Sequence, residues 1–128
     1  MGGGTGHYPA FAGWFGPGLA HGTACGNIFA SASASQVHSV LKAANRGGGI
    51  PLSFGNYTGD VLHFSQAADR MRAEGADVRI VMVTDDVASA PADESDLRRG
   101  IAGDLAIFKV AGAGAEEGMS LDDVERVA

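Results

Sequence analysis

The sequence predicts an α/β fold, a single three-layer domain over residues 1–128 with a mostly parallel sheet. Three observations carry this reading. Residues 78–83, Val-Arg-Ile-Val-Met-Val, are nearly all apolar, as in a parallel strand covered on both faces. Residues 50–54, Ile-Pro-Leu-Ser-Phe, form a second short run of the same kind. Segments of helical period separate and follow these runs, and strands alternating with helices imply a parallel sheet.

Taken in order, residues 2–30 carry no clean period. Gly13, Gly16, Gly18, Gly22 and Gly26 interrupt aromatic and small residues, which predicts loops and short helical turns. Ser33 or Ser35 can cap a helix over 35–45, where Val37, Val40, Leu41 and Ala44 fall on one face. Gly47 to Gly49 end it. Pro51 cannot donate to a ladder, so it belongs at the start or edge of the strand 50–54. Asp60 is placed to cap a helix over 61–74, with Phe64, Ala68 and Met71 as its apolar stripe and Gly75 as its stop. After the strand 78–83 comes a polar loop from Thr84 to Arg99. A third helix spans 103–117, with Ile107, Phe108, Ala111 and Ala115 inward. Ser120 and Asp123 resemble a capping box for one more helix. Both ends read as truncated, since no strand precedes the first glycine loop and a helix begins where the sequence stops.

Composition narrows the function classes. The chain carries 9 Lys and Arg against 15 Asp and Glu, a net charge of −6. That balance argues against nucleic acid or an anionic membrane as partner, because both select basic surfaces. No apolar run reaches the ~20 residues of a membrane helix. The lone Cys25 forms no internal disulfide and sits among small residues, as a buried filler does. With no signal peptide ahead of the first motif, a cytoplasmic location is expected. The 20 glycines are about twice the usual ~7% share and cluster at a few places, so they look positional.

Two glycine-flanked polar segments stand out: Gly2-Gly3-Gly4-Thr5-Gly6-His7 and Gly55-Asn56-Tyr57-Thr58-Gly59-Asp60. Glycine lets the main chain approach a ligand closely. His7 can donate to a ligand oxygen or move a proton near neutral pH; it can equally be a loop histidine bonded to backbone. Asp60 can act on a ligand, or serve only as a helix cap. Neither a dinucleotide fingerprint nor a P-loop is present. His21, His38 and His63 have no metal-ligand spacing with one another or with Cys25, so no metal site is expected. Asp85-Asp86 can bind a metal or a partner, or open a solvated loop. Arg98-Arg99 can pair with them or clamp an anion. In a parallel α/β sheet ligands sit beyond the carboxyl ends of strands, so Asn56–Asp60 and Thr84–Val87 should open on one edge.

Taken together, the segments resemble the dihydroxyacetone kinase family, specifically the N-terminal part of its ketose-binding unit. The matching pieces are Gly2–His7, Gly26-Asn27-Ile28-Phe29-Ala30-Ser31, Asn56–Asp60, Asp85-Asp86-Val87-Ala88, Arg98-Arg99-Gly100-Ile101-Ala102-Gly103 and Lys109-Val110-Ala111-Gly112-Ala113, in family order over the whole chain. Tyr8–Trp14 and Phe54–Tyr57 look closest to the branch acting on erythrulose-like four-carbon ketoses. The resemblance implies that Gly4, Thr5, Gly6 and His7 surround the substrate hydroxyls, that His7 contacts the ketose, and that Asp60 is the general base for phosphoryl transfer.

The sequence also departs from the family. Gly55 stands where the family commonly has Lys, and Thr5 where it usually has Ser. The family's second subdomain, with its ketose-binding histidine, has no counterpart here, nor has its nucleotide-binding unit. The implied function is therefore the substrate-binding part of a ketose kinase, itself inactive in isolation, with no cofactor bound by these residues and ATP and Mg on a separate domain. A non-catalytic ketose sensor and an inactive structural remnant are the alternatives. Implied partners are a small ketose, the missing C-terminal subdomain and nucleotide-binding domain, and a second copy in a homo-oligomer.

Overall fold

Ile50, Leu52 and Phe54 alternate with Pro51, Ser53 and Gly55, and this period of two makes a strand with one strongly apolar face. In a computed structural model that describes residues 1–128, this is β3 (Ile50–Gly55), pairing in parallel with β4 (Val78–Val83) from Ile50 opposite Val78 to Gly55 opposite Val83. The Ser53 hydroxyl donates across the pair to the Val81 carbonyl at 2.7 Å. The connection is a helix, α2 (Thr58–Ala73), so the two strands and their crossover stand as the sequence predicts.

Helices cover both faces of this pair. On one side lie α1 (Ala34–Ala44) and α2, whose Val37, Leu41, Phe64, Ala68 and Met71 close over Ile50, Leu52, Phe54 and Val78 in one core. Phe54 and Phe64 are fully buried, with ring centroids 4.8 Å apart. Each ring buried contributes ~1.5–3 kcal/mol, and the tilted pair adds ~0.5–1.5 kcal/mol. On the other side lie α3 (Gly103–Glu116) and α4 (Leu121–Val127). There Arg79 of β4, on the face opposite Val78 and Ile80, bridges to Asp122 at 3.0 Å and Glu125 at 2.9 Å. A smaller apolar group, Phe11, Val83 and Phe108, seals α3 against the N-terminal segment.

Helix boundaries follow local chemistry. Ser33 caps α1 in a full capping box: its Oγ accepts the Gln36 amide at 3.3 Å, and its own amide donates to Gln36 Oε1 at 3.0 Å. Ser120 caps α4 by accepting the Asp123 amide at 3.1 Å. His38, in the buried row of α1, is held by Glu74 at 2.9 Å.

Three expectations need correction. Residues 2–30 are not all loop and turn: Gly2–Thr5 is itself a strand, β1, paired in parallel with β2 (Ala24–Ile28) and lying beside β3. A run of glycines shows no side-chain period, so this strand is set by its neighbours. A Cβ on Gly3 would come within 2.5 Å of the Phe11 ring. Second, α2 begins at Thr58, with Tyr57 at the cap position and no side-chain cap bond, so Asp60 is inside the first turn and caps nothing. Third, the buried row of α3 is Asp104, Phe108, Gly112 and Gly114, while Ile107, Ala111 and Ala115 are only half-buried. Short Gly112 lets α3 approach closely, since a Cβ there would run into the Leu19 backbone.

Candidate functional site

The loops leaving the carboxyl ends of β3 and β4 are tied together at one edge of the sheet. Asn56 donates from Nδ2 to the carbonyls of Arg98 at 2.8 Å and Asp96 at 3.1 Å. Asp85, just after β4, accepts the amides of Ile101 at 2.7 Å and Gly103 at 2.8 Å, which holds the start of α3. Burial pushes the Asp85 carboxyl up, but these amide bonds outweigh it and hold its pKa below the usual value. Asp86 accepts the Ala88 amide at 3.0 Å. Both aspartates therefore serve loop and helix structure. Arg98 donates to the Ala90 carbonyl at 2.9 Å, and Arg99 lies over the Tyr57 ring at 5.4 Å. The arginines thus brace the loop and do not pair with Asp85 or Asp86.

These loops, the end of β1 and the turn after β2 enclose a cavity of about 710 Å³. Such a volume falls within the range of small-molecule sites. Phe11, Trp14 and Phe29 supply apolar wall. Phe11 (φ 59°) and Phe29 (φ 50°) are the non-glycine residues held in the left-handed region. Strained backbone of this kind persists where surrounding structure enforces it, and it gathers at ligand sites.

Of the residues read from the sequence, Gly4, His7 and Asp60 come together on this cavity. Gly4 has no room for a side chain, since a Cβ would sit 2.8 Å from the Ala30 nitrogen. Thr5 points toward β2, its hydroxyl donating to the Gly26 carbonyl at 3.2 Å. Gly6, at φ 110°, turns the chain from β1 into His7. The His7 ring is exposed and meets Phe11 edge-on at 5.4 Å, with Phe29 at 5.9 Å.

Asp60 is 8% exposed, and its Oδ1 has no hydrogen-bond partner. The nearby Ser31 hydroxyl donates to the Ala32 carbonyl at 3.1 Å. Burial raises the Asp60 pKa above the usual carboxylate value, against the opposing pull of Ser31, His63 and His7. A buried carboxylate with one free oxygen, in the first turn of a helix, is a base whose proton affinity has been increased.

Sequence reasoning missed Asp104. It is the second residue of α3, only 6% exposed, and it too lines the cavity with Oδ1 unpartnered. Burial first, then the Asp85 and Asp60 carboxylates, push its pKa up to about 7. An Asp in a helix's first turn is ordinary in sequence, because it favours the helix dipole; the one readable signal was its i, i+4 spacing from Phe108.

The remaining histidines are dispersed: His38 pairs with Glu74, and His21 lies 3.8 Å from Glu116. No three His, Cys, Asp or Glu residues converge to hold a metal ion, and no Lys or Arg lines the cavity. No helix is long and apolar enough to cross a membrane.

A glycine-framed cavity with buried carboxyls, beyond the carboxyl ends of parallel strands, marks an α/β domain. The chain belongs to the Dak1 domain family, whose model matches residues 1–128. It is 62% identical over 128 residues to the L-erythrulose 1-kinase of Mycolicibacterium smegmatis, covering 100% of this chain and 22% of that protein. The crystal structure of the dihydroxyacetone kinase of C. freundii superposes with a TM-score of 0.92 at 40% identity, over 98% of this chain and 23% of the other. A structure concerned with regulation of the dha operon of Lactococcus lactis gives a TM-score of 0.91 at 31% identity, over 99% of this chain and 40% of the other. The chain thus spans between about a fifth and two fifths of the length of these relatives.

Proposed function

We propose that residues 1–128 are the first subdomain of a ketose-binding unit, and that they hold an erythrulose- or dihydroxyacetone-like ketose for phosphorylation. The observation that carries this is Asp60: a buried carboxylate with an unpartnered oxygen, on the same cavity as Gly4 and His7. The high identity to an L-erythrulose kinase supports the substrate class.

In this reading a terminal hydroxyl of the ketose donates to the Asp60 carboxylate. As its oxygen bonds to phosphorus, the proton passes to Asp60 and the bond from phosphorus to the donor's leaving group breaks. Positioning supplies most of the rate in such transfers, and the strand and helix ends that frame the cavity supply the positioning. His7 contributes a hydrogen bond to the ligand. The phosphoryl donor, with ATP and Mg as the expected pair, is held by a separate part of the protein. The same reading implies a cytoplasmic role in carbohydrate metabolism. Exposed Tyr8, Ile28 and Phe29 give the β1–β2 edge an apolar surface, which supports packing of further protein or of a second copy against it.

A second reading, a ketose sensor without transfer, is favoured by the likeness to the Lactococcus lactis regulatory structure. Calorimetry with erythrulose and dihydroxyacetone on the full-length protein, with turnover assays of wild type and Asp60→Asn, separates the two. The kinase reading expects turnover that falls about 10²–10⁴-fold in Asp60→Asn with ketose affinity largely kept. Binding without turnover in the wild type supports the sensor, and absence of binding overturns both. Near-wild-type turnover by Asp60→Asn removes Asp60 as the base.

A further inference from the structure

The cavity holds two carboxyls more than nine-tenths buried, Asp60 and Asp104, and each keeps an Oδ1 without a partner. Phosphoryl transfer as described uses one of them. A buried polar atom left unpaired is uncommon in folded proteins and points to a role in binding or catalysis. Asp104 is also fixed in place. The amides on either side of Ala102, those of Ile101 and Gly103, are bound by Asp85, and a Cβ on Gly103 would fall 2.8 Å from the Asp85 carboxyl carbon. These contacts hold the backbone at the start of α3, and with it the position from which Asp104 projects. The space beside it is narrow: a Cβ on Gly55 would lie 3.1 Å from the Gly100 carbonyl oxygen, 3.3 Å from Asp104 Oδ2 and 3.3 Å from the Tyr57 ring, so glycine there keeps a side chain from crowding the carboxyl.

We propose that Asp104 is a specificity-determining residue, whose carboxyl hydrogen-bonds, on the cavity that Gly55 also lines, the additional hydroxyl that a four-carbon ketose carries and a three-carbon one lacks. This rests on the ketose reading of the site given above. One terminal hydroxyl of the ligand is taken by Asp60, and the ligand's other groups in a triose face His7 and the Gly4 backbone. A further donor or acceptor is needed before Asp104 is satisfied. A ligand lacking that hydroxyl leaves the carboxyl buried and unpaired, at a cost of about 1–3 kcal/mol. Asp104 titrates near neutrality, so it can present either an O–H donor or a carboxylate acceptor to a hydroxyl.

The test compares kcat/KM for erythrulose and for dihydroxyacetone in the full-length protein, as wild type, Asp104→Ala and Asp104→Asn. The expected result is a preference for erythrulose that falls about 10- to 100-fold in Asp104→Ala and is partly restored in Asp104→Asn, which keeps the shape and a hydrogen-bonding head. Loss of stability alone lowers both substrates together and leaves their ratio unchanged. An unchanged ratio in both variants overturns the inference while wild-type ketose turnover leaves the kinase reading standing. A wild type that prefers dihydroxyacetone does the same. If the wild type binds ketoses without turnover, the ratio of dissociation constants takes the place of kcat/KM with the same expectation. If it binds neither ketose, the reading of the site falls and the inference with it. Should Asp104→Ala fail to fold, Asp104→Leu, similar in volume but without a hydrogen-bonding head, gives the ratio, and a drop below threefold counts against the proposal.

Discussion

Asp85 accepts the Gly103 amide at 2.8 Å, and through that bond the second residue after β4 fixes the start of the helix that carries Asp104. One carboxylate is used to cap α3, and the cap sets a second carboxyl, one residue on, against the cavity. Replacing Asp85 by Ala removes both amide contacts and should lower stability by ~1–2 kcal/mol, the usual cost of a lost helix cap. Chemical denaturation measures it. The folded-state pKa of Asp85 is depressed, so its contribution is present above its ordinary value of 3.8 and is lost as pH falls through that region. Asp85→Asn should therefore flatten the acid limb of the stability curve. A limb identical to wild type would assign the acid sensitivity elsewhere.

Gly4 is the tightest point on the cavity rim that sequence reasoning identified. Gly4→Ala places a methyl 2.8 Å from the Ala30 nitrogen and 3.1 Å from its carbonyl oxygen. Both are backbone atoms, so the strain cannot be relieved by a rotamer change. Overpacking of this kind costs ~1–3 kcal/mol. Thermal unfolding should show a lowered Tm, and ketose affinity should fall with it as β1 shifts from the turn after β2. An unchanged Tm would mean that the turn gives way without cost.

The parts of the fold that were legible share one property: their side chains report their surroundings. β3, α2, β4 and α1 each show an apolar period, and each formed within a residue or a few of its predicted span. β1 was illegible for the opposite reason, because Gly2–Gly4 carry no side chain and their strand state is imposed by β2 and Phe11. Asp60 was read as a possible cap because Asp before a helical run is a common cap. The structure starts α2 three residues earlier, from an extended Tyr57, and so frees the carboxylate for the cavity. Asp104 was passed over because burial is not written in a first-turn Asp; only the approach of the two loops, tied by Asn56, encloses it.

Asp104 also makes stability fall with rising pH. Its folded-state pKa is raised to about 7 from an ordinary 3.8, by burial and by the facing Asp85 and Asp60 carboxylates. Between those values the folded protein binds the proton that the unfolded chain releases, so this residue costs stability progressively from about pH 4 to pH 7 and its full cost is present above that. Asp104→Asn removes the titration. The variant should melt higher than wild type at pH 8 and near wild type at pH 4, measured by circular dichroism across that range. A wild-type-minus-variant difference independent of pH would show that Asp104 titrates at an ordinary value.

His7 offers the sharpest separation of binding from proton transfer. Its ring stands at the exposed mouth of the cavity, packed edge-on against Phe11 and near Phe29, and no hydrogen bond fixes either nitrogen. Removing it leaves no buried group orphaned, so His7→Ala should change stability by less than ~1 kcal/mol, as exposed substitutions do. Its proposed contact is to the bound ketose. The contact exists before transfer and strengthens as charge develops during it, so its loss should raise KM and lower kcat together, whereas loss of the Asp60 base lowers kcat with KM nearly kept. A decrease of about 10-fold or more in kcat/KM is expected if the imidazole hydrogen-bonds the ligand, since one such bond to a neutral partner contributes ~0.5–1.5 kcal/mol and a bond to developing charge more. His7→Asn, which keeps a donor on a shorter arm, should recover part of the loss. If His7→Ala leaves both constants unchanged in the full-length protein, His7 is only part of the aromatic wall, and recognition rests on Asp60, Asp104 and the glycine backbone.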